Sequence, residues 1–212
     1  MTVLSISRQF GAGGWTLGKA IAERLNYQFI SVGVIEQMAK EAKVSPEWIK
    51  STEKNVGDWL LRFTSKLVSS SFIERHVGES RADFDEDKYL KFLDNIIRRI
   101  AKEDNVVILG RGSQFILQDD PNVVKVLIVA DMEDRIRFIE NIWNISSREA
   151  EKSIQTREKR REVFLKHFHQ GPANSLNLYH VIVNTSKISL EEAEELIVWL
   201  VKYHEKTGDR KF

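Results

Sequence analysis

The chain opens with a short apolar run at residues 3–7. Apolar positions then return at Leu17, Ile21, Ala22 and Leu25, the spacing that lines one face of a helix. Residues 27–31 read as a second short strand and residues 34–42 as a helix. Ser45-Pro46 opens a segment in which Trp48, Ile49, Trp59, Leu60, Phe63 and Leu67 follow at helical intervals. The acidic run at 83–87 leads into a helix through Leu90, Leu93, Ile96, Ile97 and Ile100. Residues 105–110 and 123–130 are continuous apolar runs, of the kind buried on both faces of a parallel sheet. Asp131 is expected to cap a helix through Ile142, and Ser146-Ser147-Arg148-Glu149 spells a capping box for the next. Residues 179–183 read as a last strand, and Ser189-Leu190-Glu191-Glu192 caps a final helix.

Strands alternating with helices predict an α/β fold with a central, mostly parallel sheet covered by helices on both faces. One domain is expected over residues 1–212. Its core would span about 1–45 and 87–212, with a helical insertion at about 46–86 whose apolar content is too modest for a separate core.

Composition narrows the function classes. Of the 212 residues, 42% are apolar, enough to fill one core, and 30% are charged. A formal net charge of +1 gives no electrostatic case for nucleic-acid or membrane partners. With no cysteine there is no disulfide, thiol nucleophile or thiolate metal site. The opening apolar run lacks the basic lead of a secretory signal, and no apolar run approaches the roughly 20 residues that span a bilayer. A cytoplasmic location is therefore expected. The five histidines are scattered, without convergent metal-ligand spacing.

Chemistry enters at the first turn. Gly11, Gly13 and Gly14 lie between the opening strand and the first helix. A strand, a glycine-rich turn and a helix can cradle phosphate, because glycines let the backbone approach the oxygens and the helix N-terminus adds positive dipole. Thr16, in the first helical turn, is where such loops keep a hydroxyl for Mg²⁺. The GxxxxGK[ST] pattern is broken: Arg8 stands where it wants glycine and Gly14 where it wants lysine. A glycine turn that binds nothing is the alternative reading of this stretch. Two arginine features add weight to phosphate. Arg111 follows a buried strand at its carboxyl end, where ligands bind in open α/β sheets. Arg157, Arg160 and Arg161 share one helix face, where guanidinium suits phosphate. A solvated basic face with Glu158 and Glu162 as partners is the competing account of that helix.

The run from Ser5 through Arg8, Gln9, Phe10, Gly11, Ala12 and Gly13 to Gly14, with Leu25-Asn26-Tyr27 after the helix, resembles the cytidylate kinase-like family. That family belongs with the P-loop nucleoside monophosphate kinases. The resemblance runs over nearly the whole chain. It includes Gly110-Arg111-Gly112, Asp120-Pro121, Glu133-Asp134-Arg135-Ile136, an arginine-rich lid at 157–161, and Val183-Asn184-Thr185-Ser186. It implies a P-loop NTPase-type three-layer fold and transfer of the γ-phosphoryl group of ATP, with Mg²⁺, to a small nucleotide substrate. Gly11, Ala12, Gly13, Gly14, Trp15 and Thr16 would then form the ATP loop, with Thr16 toward the metal. Arg111 would hold the acceptor phosphate, while Arg157 and Arg161 neutralise the transferred group. The insertion at 46–86 would close over the acceptor.

This chain departs from that pattern at several positions. Gly14 holds the lysine position, and Trp15 follows it. Leu109 and Gly112 flank Gly110-Arg111 where true cytidylate kinases carry acidic residues, which removes a basis for cytosine selectivity. Arg8 is the first substitute for the missing cation and Lys19 the second. If neither serves, the chain is a weak or inactive regulatory protein that binds a nucleotide or another phosphorylated ligand.

Overall fold

The structure is a computed structural model in which residues 2–31, 35, 86–168 and 175–208 are described. Most of the expected helix at 34–42 and of the insertion at 46–86 lies outside these residues. The chain divides into two compact units, Met1–Phe29 with Arg98–Phe212, and Ile30–Ile97. The first unit carries the glycine-rich turn and most of the sheet.

Five strands form that sheet, in the order β2-β3-β1-β4-β5: β1 (Val3–Arg8), β2 (Gln28–Ile30), β3 (Val106–Leu109), β4 (Val123–Val129) and β5 (Val181–Asn184). β1 pairs in parallel with both β3 and β4, and β4 pairs in parallel with β5. The chain leaves β1 toward β2 on one side and leaves β4 toward β5 on the other. A crevice therefore opens above the carboxyl end of β1, where such sheets take ligands.

The helices are α1 (Gly14–Leu25), α2 (Glu86–Lys102), the short α3 (Ser113–Ile116), α4 (Met132–Trp143), α5 (Ser147–Lys166) and α6 (Leu190–Thr207). The strand period of two sorts β1 into two faces. Leu4 and Ile6 join Leu17 and Ile21 of α1 and Ile197 and Val201 of α6 in the main core. Ser5 and Ser7 point the other way and are also buried, and the Ser5 hydroxyl lies 2.7 Å from that of Ser113 in α3. A central strand with a polar second face is costly unless that face is hydrogen-bonded. It carries the chain into the crevice.

The capping predictions at α5 and α6 hold, and both helices start with reciprocal boxes, Ser146 with Glu149 and Ser189 with Glu192. Asp131 stands at the N-cap of α4 with no side-chain cap bond. The last strand begins two residues later than expected, at Val181, because Leu176–Leu178 forms a 3₁₀ turn ahead of it. Ser189→Ala is expected to lower stability by about 1 kcal/mol, the usual worth of such a cap. The shift in urea midpoint measures it, and an unchanged midpoint would mean that α6 is held by packing alone. Among the described residues no helix is long and apolar enough to cross a membrane.

Candidate anion site at the end of the first strand

β1 ends at Arg8, and the chain turns sharply into α1. The Gln9 amide continues the pairing by donating to the Ile128 carbonyl at 2.9 Å, and its side-chain oxygen accepts from the Ala130 amide at 3.1 Å. Gly11 and Gly13 hold φ of 87° and 74°, a region that L side chains rarely adopt. A Cβ on Gly11 would also lie 3.1 Å from the Arg135 carbonyl oxygen, so α4 packs directly on the loop. Gly13 caps α1 without a side chain, and the first turn of α1 has no acidic residue. By contrast α5 and α6 begin with serine hydroxyls and glutamates. The start of α1 is thus the one among these three with amides and dipole left for an external anion.

Three arginines from different elements meet beside this loop. The stem of Arg8 lies across Gly14, where a Cβ would come within 2.8 Å of the Arg8 Cβ and Cγ. Its guanidinium ends at Gly110, Nη1 standing 2.0 Å from where that residue's Cβ would be. Arg111 follows in a run of three positive φ values, 78° at Gly110, 56° at Arg111 and 74° at Gly112. A non-glycine residue held there is strained, and such strain clusters at ligand clamps. The Arg111 guanidinium lies over the Phe164 ring at 5.7 Å. Arg161 of α5 donates through Nη2 to the Ser7 hydroxyl at 3.2 Å and through Nη1 to Glu158 at 3.5 Å. Burial pushes the Arg8 pKa down to about 10, and the charges of Arg161 and Arg111 push the same way while Glu158 opposes them. A phosphate oxygen in this cluster would relieve the repulsion.

Glu158 is the internal counter-ion. Its carboxylate accepts from the Phe10 amide of the loop, from Arg135 Nη2 at 3.2 Å and from Arg161. Arg135 in turn donates through Nε to the Phe10 carbonyl at 2.7 Å. Sequence reasoning treated Glu158 as a surface partner of a basic face, and nothing in its spacing marks it as the residue that ties α5 to the loop.

Other expected site residues are placed differently. Arg157 does not join the arginine cluster, as its guanidinium sits over Phe10 at 4.7 Å and over Trp143 at 5.1 Å. Cation–π contact and partial burial hold it there, whatever face it shares with Arg161. Trp15 is 44% exposed and meets Phe29 edge-on, so it does not fill the loop. Thr16 is exposed on the first turn of α1. With Gly14 at the lysine position, the hydroxyl position of the phosphate-loop pattern falls on Trp15, and Thr16 stands one residue beyond it. Lys19 lies over Trp15 at 5.7 Å and 3.9 Å from Glu23, on the outer side of α1.

Two residues that the sequence did not single out complete the surroundings. Gln114 of α3 is buried, and the buried Tyr179 hydroxyl lies close to it and to Ser7. Burial raises the Tyr179 pKa, with Ser7, Arg161 and Gln114 near enough to oppose the shift. Against the loop a cavity of about 200 Å³ is lined by Gly11, Gly13, Asp134, Phe138, Thr185 and Leu190 among others. Thr185 fixes its rim by donating to the Ala12 carbonyl at 3.2 Å. No group of three or more His, Asp or Glu side chains that would hold a metal ion occurs among the described residues.

The loop and arginines predict a simple ligand response. Inorganic tripolyphosphate at 100 times its Kd should stabilise the protein by about 2.7 kcal/mol. For a chain of this size that is a Tm rise of roughly 5–10 °C. A thermal scan without any rise would show that the loop does not take phosphate.

Known proteins resemble the chain over most of its length. A family model described as "Cytidylate kinase-like family" matches residues 3–187. A cytidylate kinase of Pyrococcus horikoshii is 26% identical over 208 residues, covering 98% of this chain and 92% of that protein. A cytidylate kinase of Ignicoccus hospitalis is 25% identical over 198 residues, covering 93% and 97%. Among solved structures, an uncharacterized protein from Eubacterium ventriosum superposes with a TM-score of 0.69 at 19% identity, covering 95% of this chain and 99% of that one. Shikimate kinase from Acinetobacter baumannii, solved with shikimate, gives 0.51 at 12% identity, covering 96% and 94%. At such identities the two structures speak for the fold alone, a parallel sheet flanked by helices.

Proposed function

The chain belongs to the cytidylate kinase-like family, and from that premise we propose that it transfers the γ-phosphoryl group of ATP to a nucleoside monophosphate. The observation that carries this reading is the convergence of Arg8, Arg111 and Arg161 beside the glycine loop. Phosphoryl transfer needs little covalent help from a protein. It needs positioning, and positive charge where the three equatorial oxygens gain negative charge. In this reading the backbone of Gly11, Ala12, Gly13 and Gly14 holds the ATP phosphates, Arg111 holds the acceptor phosphate, and Arg161 faces the group in transit. Arg157 orders the loop through Phe10. The cavity lined by Phe138 and Thr185 has the size and setting for the base of ATP.

A divalent cation fits this donor set in one way. Thr16 is a single exposed hydroxyl near the loop, so a Mg²⁺ ion would arrive on the triphosphate, ligated mostly by phosphate oxygens and water. When bound, it would spread the charge of the phosphates.

The test is phosphoryl transfer from ATP to CMP, dCMP, UMP and AMP. Turnover with at least one acceptor is expected, with no strict demand for cytosine, because Leu109 and Gly112 replace the acidic neighbours of Arg111. ATP binding without turnover on any acceptor would refute the kinase reading and favour a regulatory nucleotide-binding protein, which Gly14 at the lysine position would permit.

A further inference from the structure

The residue at position 14 raises a steric question before a chemical one. In a phosphate loop the lysine springs from the first turn of the helix and runs back over the loop toward the phosphates. Here a Cβ on residue 14 would point into Arg8, 2.8 Å from both its Cβ and its Cγ. The Cβ is fixed by the backbone at the end of β1 and cannot swing aside. The corridor that a lysine would use is therefore already taken by the stem of Arg8. That stem continues to the end of β3, where Nη1 lies 2.0 Å from the Cβ position of Gly110. Arg8 thus spans from the donor loop to the residue preceding Arg111.

We infer that Arg8 is the catalytic cation of this enzyme, standing in for the missing lysine, and that position 14 is glycine because the Arg8 stem occupies its side-chain space. The positive charge has moved from the helix to the strand. The exchange is coupled, since a lysine cannot return to position 14 while Arg8 stays, and Arg8 cannot lie in this corridor beside a side chain at position 14. Gly110 makes the matching room at the other end, though there the neighbour is the far end of the Arg8 side chain, so Gly14 is the sharper constraint. Guanidinium also suits the new location. It offers donors to two phosphate oxygens at once, where ammonium acts as a point charge. Burial is the main cause of the lowered Arg8 pKa, and the charges of Arg161 and Arg111 add to it while Glu158 opposes them.

The inference rests on the kinase reading for its catalytic half and on packing alone for its steric half, and the two are tested apart. Arg8→Ala, Arg8→Lys, Gly14→Lys and the exchange variant Arg8→Gly/Gly14→Lys are compared with wild type for kcat, ATP Kd and Tm. Arg8→Ala should lower kcat about 100- to 1,000-fold, the scale for losing one preorganised donor, with the ATP Kd changed less than about tenfold. Arg8→Lys should fall between. Gly14→Lys should melt lower than wild type. The exchange variant should regain both the lost Tm and at least tenfold of the turnover missing in Arg8→Ala. Wild-type turnover in Arg8→Ala overturns the catalytic half. An exchange variant that melts as low as Gly14→Lys overturns the coupling. If the wild type itself turns over no acceptor, the kinase reading fails. The catalytic half falls with it, and the steric half is still decided by the Tm values of Gly14→Lys and the exchange variant.

Discussion

Arg161→Ala is expected to lower kcat/KM for phosphoryl transfer by about 10²–10³-fold, roughly 3–4 kcal/mol of transition-state stabilisation. The arginine comes from α5 to the carboxyl end of β1, where it donates to Ser7 and pairs with Glu158. Its side chain is 15% exposed, so its charge acts in a medium less screened than water. Neither contact spans the full guanidinium fork, and in the proposed reading the same group meets the charge that builds on the transferred phosphoryl. Arg161→Lys should recover only part of the loss, since an ammonium cannot reach Ser7, Glu158 and a phosphate in one plane. Steady-state kinetics with ATP and the best acceptor measure both variants. A fall in kcat with little change in the ATP KM identifies a transition-state contact. A lower Tm with unchanged kcat would instead assign Arg161 to holding α5 against the loop.

Ile6→Ala is expected to cost about 3 kcal/mol of stability, within the 2–5 kcal/mol usual for emptying a buried isoleucine site. Ile6 is fully buried in the central strand and packs with residues of α1 and α6. Its Cδ1 approaches Gly18 closely enough that a Cβ there would lie 3.4 Å away. A cavity at this point loosens α1 just below the glycine loop. The Tm rise given by tripolyphosphate should therefore shrink along with stability. Ile6→Val, which leaves a much smaller void, should cost about 1 kcal/mol and keep the ligand response. Urea denaturation decides the point, and an Ile6→Ala variant as stable as wild type would mean that the core refills.

The layered α/β architecture was legible because its signals are local. The apolar runs at 105–110 and 123–130 became β3 and β4 within a residue at each end. The boxes at Ser146 and Ser189 start α5 and α6 because a cap is made by residues three apart. Glycine loop, Arg111 and the basic helix were also visible as separate anion-favouring features. Their meeting was not visible, since it depends on which strands lie side by side. Arg157 and Arg161 share a helix face and look equivalent in sequence, yet the rings of Phe10 and Trp143 take one while Ser7 and Glu158 take the other. Glu158 was visible only as a partner of the basic face and Gln114 not at all, because a carboxylate or a carboxamide is marked only by what surrounds it. Sequence alone determined that a cation was missing at position 14 and that Arg8 was a substitute to consider. Only the tertiary structure decided where Arg8 goes: its path is set by two absent side chains, Gly14 beside it and Gly110 more than a hundred residues away, brought together by the parallel pairing of β1 with β3.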